Sequence, residues 1–100
     1  MRTNMTEFKK GSFCRSTAGH DIGTIYIIVE TDSTVKVADG RYKCLENPKI
    51  KNPKHLELID YKDEALAEKF ATGRLNNEAI KYSIKNYLIN AKKGQEVINV

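Results

Sequence analysis

The run Gly23-Thr-Ile-Tyr-Ile-Ile-Val-Glu30 decides how this chain is to be read. Every residue from Thr24 to Val29 is β-branched or aromatic, a composition that suits a pleated, half-buried or buried strand and loses side-chain freedom in a helix. Immediately before it lies the corner Ser16-Thr-Ala-Gly-His-Asp-Ile-Gly23, which holds two glycines, a histidine and an aspartate. Glycine supplies backbone conformations that other residues avoid, so this corner predicts a tight loop between two paired strands. The partner strand is residues 12 to 15, alternating polar and apolar through Phe13.

On the other side, Thr31-Asp-Ser33 ends the run and Thr34-Val-Lys-Val-Ala38 alternates with period two. That places Val35 and Val37 on one face and Lys36 on the other. Asp39-Gly40 is a signal for a two-residue hairpin turn, with Arg41-Tyr-Lys-Cys-Leu45 as the return strand. Residues 46 to 54 contain Pro48 and Pro53, which donate no backbone hydrogen bond, so this segment predicts an exposed basic connection. His55-Leu-Glu-Leu-Ile59 supplies a final short strand. Several short strands at roughly ten-residue spacing predict a small closed or partly open barrel.

After Asp60 the period changes. Residues 63 to 72 favour a helix, with Asp63 and Glu64 at the amino end and Gly73 as a carboxyl-terminal cap. Asn76 caps a second helix, Leu75 and Ile80 are spaced for a hydrophobic staple, and Ile80, Ile84, Tyr87 and Leu88 form one stripe. The stripe predicts that the helices pack on the β part, with Tyr82 and Tyr87 as packing groups. The expected organisation is a barrel over residues 11 to 59, a helical extension over 60 to 90 in the same domain, and a tail over 91 to 100 with an extended piece near its end.

One hundred residues, 40% hydrophobic and 30% charged, suit a single folded domain. Residues 1 to 10 lack the apolar core of a secretory signal and no stretch has the length of a membrane span, which predicts a cytoplasmic protein, expected to be monomeric. Cys14 and Cys44 have no metal ligand beside them, so buried free thiols are expected and zinc is not. A disulfide would require the two to sit on adjacent strands in an oxidising compartment. Residues 33 to 56 carry six basic groups against two acidic ones, a net of +4 that equals the whole chain's. Any footprint for a polyanion is therefore centred there.

The alternating strand, polar loop, Gly23 and β-rich strand together resemble the KOW motif of ribosomal proteins and transcription elongation factors. Val37-Ala-Asp-Gly40, Asn47-Pro-Lys49, Lys54-His-Leu56 and Leu75-Asn-Asn-Glu78 follow in an order similar to that of a bacterial group of short KOW-domain proteins. That group is similar to the archaeal and eukaryotic large-subunit ribosomal proteins numbered fourteen-e. The resemblance implies an SH3-like barrel of about five strands and RNA binding without catalysis or cofactor, most plausibly to ribosomal RNA, with ribosomal proteins as further partners. Where that group usually carries lysine or arginine around the loop glycine, this chain has Thr17, Ile22 and Thr24.

The residues expected to meet RNA are Arg15, His20, Arg41, Lys43, Lys49, Lys51 and Lys54, with Gly23 and Gly40 as turn determinants and Tyr42, His20 or His55 as stacking platforms. Asp21 is expected to accept hydrogen bonds from the backbone of its own loop, and Ile22 to fold inward. No nucleophile with a base, phosphate-cradling loop or metal cluster stands out, so no enzyme is expected. The alternative is an SH3-like module that binds proteins. A polyproline groove would need several aromatics on one face, and the β part has only Phe13, Tyr26 and Tyr42.

Overall fold

A computed structural model describes residues 8 to 98, with side chains through Lys92. The strand-forming run becomes β2 (Ile25–Glu30), the centre of a five-stranded antiparallel sheet. The other strands are β1 (Phe13–Ser16), β3 (Val35–Ala38), β4 (Lys49–Lys51) and β5 (Leu56–Ile59), in the order β4-β3-β2-β1-β5. Register is fixed by Phe13 opposite both Ile27 and Ile59, Ile27 opposite Ala38, and Val37 opposite Lys49. A register shift between Ile28 and Glu30 bends β2 where it leaves β3.

Both faces of the central strands are buried, which is why β2 reads as an uninterrupted apolar run. On one face Phe8, Cys14, Tyr26, Ile28, Val35, Val37 and Leu56 cluster together. The other face carries Phe13, Ile25, Ile27 and Ala38, covered by Leu66 and Ile80 from α1 (Glu64–Thr72) and α2 (Asn77–Ile98). Phe13, Tyr61 and Tyr87 meet there, Phe13 and Tyr61 edge to face at 5.0 Å and Tyr61 and Tyr87 at 5.1 Å. Each such buried side chain contributes on the order of 2 kcal/mol.

The helix ends follow the expected chemistry. Asp63 caps α1 by accepting from the Leu66 N–H, and Gly73 closes it at φ 71°. Asn76 accepts from the Ala79 N–H at the start of α2. Two β-strand expectations are corrected. Residues 41 to 45 form no strand, because the Asp39 carboxylate accepts the N–H groups of Arg41, Tyr42 and Lys43 at 2.8 to 2.9 Å and curls the chain into a loop. The return strand lies later, as β4, an edge strand three residues long held between Pro48 and Pro53. The extended piece expected near the carboxyl end is also corrected, since α2 runs to Ile98; Asn99 and Val100 lie outside the described residues.

The sheet is open, with β4 and β5 as its edges. It is also curled. In a flat sheet β4 and β1 would be three strand spacings apart, about 14 Å, yet Lys51 of β4 reaches the Ala18 carbonyl just beyond β1 at 3.0 Å. A single turn of 3-10 helix (Pro53–His55) carries the chain across from β4 to β5.

Candidate nucleic-acid interface

Antiparallel pairing sets where the loops lie. The end of β1, the start of β2, the end of β3 and the starts of β4 and β5 all fall at one end of the sheet. Residues 17 to 24 and 39 to 48 therefore emerge together. The turn over 52 to 55 leaves the opposite end of β4 and arrives beside the first of these loops at the start of β5, where the Thr17 N–H donates to the His55 carbonyl. Gly19 (φ 95°) and Gly23 (φ 90°) hold the first loop in a left-handed backbone that a Cβ would strain.

Asp21 organises this end. Its carboxylate accepts from the Tyr26 hydroxyl (2.7 Å), the Ser16 hydroxyl (2.8 Å), Lys49 Nζ (2.9 Å) and Lys51 Nζ (3.1 Å). Burial alone would raise its pKa, but those four donors outweigh it and hold the carboxyl well below the usual range. Burial, reinforced by the bond to Asp21, pushes the Tyr26 phenol up, so at neutral pH it remains a donor. The expectation that Asp21 serves its own backbone is thus corrected: its side-chain partners come from β1, β2 and β4.

The seven expected contacts divide accordingly. Lys51 is 7% exposed and committed to Asp21 and Ala18, which removes it from any outer surface. Lys49 shares Asp21 but remains about one-third exposed, and Arg15 pairs with Glu57 at 2.7 Å on the helix-bearing face. His20, Arg41, Lys43 and Lys54 are exposed at the loop end. Ile22 points outward at 65% exposure, correcting the inward placement. Gly40 adopts φ 78° against the first turn of α2, where a Cβ would collide with the Asn77 carbonyl. The Asn77 side chain accepts from the Leu45 N–H at 2.8 Å and donates to Glu46.

This docking opens a groove of about 1090 Å³ between α2 and the 39 to 42 loop, bordered also by Gly23 and Thr24. Arg41 and Tyr42 form one wall; Lys81, Tyr82, Lys85 and Lys92 form the other. The Arg41 guanidinium lies 5.2 Å from the Tyr42 ring centre, and Tyr42 is 77% exposed. Tyr82, expected to pack, is instead 67% exposed. The α2 members were missed because a stripe of lysines opposite an apolar stripe looks like any solvated helix face. The signal that could have found them is Lys81, Lys85 and Lys92 recurring on the face that also carries Tyr82.

Compared with known proteins, the chain matches no protein-family model and no curated protein sequence. Among the described residues no group of three or more His, Cys, Asp or Glu side chains could hold a metal ion, and no helix is long and apolar enough to cross a membrane. Both cysteines are free; burial pushes the Cys14 thiol up to about 12.

Proposed function

We propose that this chain is a non-catalytic RNA-binding protein of the translation machinery, built on an SH3-like barrel of the KOW type and working in the cytoplasm. The strand order supports the barrel reading: a four-stranded meander whose fifth strand returns through one 3-10 turn to pair with the first, in a sheet curled enough for β4 to touch the β1 to β2 loop. The positive φ of Gly23, at the entry to β2, supports the KOW resemblance.

The observation that carries the RNA reading is the exposure of His20, Arg41 and Lys43 on two loops that emerge at one end of the sheet, with Lys54, also exposed, on the turn that arrives beside the first of them. Fixed cations on a rigid scaffold neutralise phosphates and release condensed counterions, which makes affinity steeply salt-dependent. They position RNA without naming its sequence. Sedimentation of a cell extract tests the reading. Co-migration with large ribosomal subunits at about 50 mM salt and release at about 200 mM is expected, as four phosphate contacts would lose roughly a hundredfold in affinity over that range. Free sedimentation at both salts would refute the ribosomal assignment. A protein partner is favoured by one feature, the exposure of Leu88 and Ile89 beside the groove; such a complex would survive the higher salt.

A further inference from the structure

We infer that the groove between α2 and the 39 to 42 loop takes unpaired bases, so that the RNA class is single-stranded rather than duplex. This rests on the RNA reading above and narrows it. Of the five tyrosines, three are committed: Tyr26 is buried with its hydroxyl on Asp21, and Tyr61 and Tyr87 pack against Phe13. The other two, Tyr42 and Tyr82, are 77% and 67% exposed, and both line the same groove. Open aromatic faces are stacking platforms for bases whose own faces are free. A duplex has already covered those faces, so it gains nothing from the two rings.

Charge supports the same occupant. The acidic groups at the groove are engaged: Asp39 accepts three backbone N–H groups and Glu78 pairs with Lys81 at 3.2 Å. Lys85 and Lys92 lie about 10 Å apart along the same helix face, with Lys81, shared with Glu78, one turn before Lys85, and a flexible backbone can follow that line past both rings. Arg41 lies over one face of Tyr42, and the high exposure of that ring leaves it open to a base.

The experiment compares a labelled mixed-sequence RNA of about twelve nucleotides with the same strand annealed to its complement, by fluorescence anisotropy at low salt. The single strand is expected to bind more tightly. Tyr42→Ala and Tyr82→Ala are each expected to weaken it about tenfold while leaving duplex binding unchanged, and Tyr42→Phe and Tyr82→Phe to restore it. Both rings are exposed, so the variants fold, which circular dichroism verifies. Equal affinity for the two RNAs, or alanine variants that bind the single strand like wild type, would overturn the stacking groove while leaving phosphate binding standing. Equal losses on both RNAs would do the same. Absence of binding to either RNA would overturn the RNA reading with it.

Discussion

Asp21 is the residue on which the loop end of the sheet depends. Its carboxylate is only 13% exposed and faces Lys51, itself almost fully buried, so each charge is tolerable only because the other is present. Asp21→Asn at neutral pH leaves the Lys51 ammonium with the Ala18 carbonyl and a neutral amide. Breaking such a pair costs about 3 kcal/mol, readable as a lower urea midpoint with an unchanged slope. The pH dependence has a definite sign. Because the folded pKa is depressed, the unfolded chain takes up the proton first as pH falls. The stabilisation is thus complete above the ordinary carboxylate value of about 4 and is lost progressively below it. Wild type and variant should therefore differ at pH 7 and converge in acid; a constant difference down to pH 3 would show that Asp21 acts by shape alone. Little of this was legible in the sequence, since Lys49 and Lys51 stand 28 and 30 positions from Asp21 and no local pattern announces their meeting.

At the scale of elements, legibility followed the physics of each signal. Gly73 and Asn76 were read correctly because caps act within a few residues of the bonds they satisfy, while Asp63, read as an acidic residue of the first turn, is the cap itself. β2 was read correctly because burial on both faces leaves an unmistakable composition. The β3 to β4 connection was misread because Asp39-Gly40 fits a hairpin turn equally well, whereas the three backbone bonds to the Asp39 carboxylate and the docking of α2 together hold a loop. That docking is what Gly40 permits. Its Cα faces the first turn of α2 so closely that any side chain would strike the Asn77 carbonyl and crowd the Lys81 N–H, both backbone groups that cannot rotate away. Gly40→Ala adds backbone strain at positive φ to that collision, together about 3 kcal/mol. The outcome expected is a clear drop in thermal midpoint together with faster hydrogen exchange at the Leu45 amide, whose acceptor is the Asn77 side chain. Loss of stability without that local change would place the strain elsewhere.

For the whole molecule, the consequence of the proposed function is thermodynamic linkage. The groove is assembled from α2 and a loop of the sheet, so it exists only in the folded chain, and any RNA held there stabilises that state. At a concentration a hundred times the dissociation constant the gain is about 2.7 kcal/mol, which for a domain of this size raises the melting temperature by about 10 to 20 °C. The cations involved come from both halves of the sequence, Arg41 from the 39 to 42 loop and Lys81, Lys85 and Lys92 from α2, and only the fold brings them together. A charge count over residues 33 to 56 therefore located one wall of the groove and could not locate the other. Salt distinguishes this stabilisation from hydrophobic docking. Raising it fourfold should erase most of the RNA-induced shift while leaving the melting of the free protein nearly unchanged, because the buried Asp21 and Lys51 pair is screened far less than exposed cations. A shift that persists at high salt would mean that apolar contact through Leu88 and Ile89, and not phosphate neutralisation, dominates the complex.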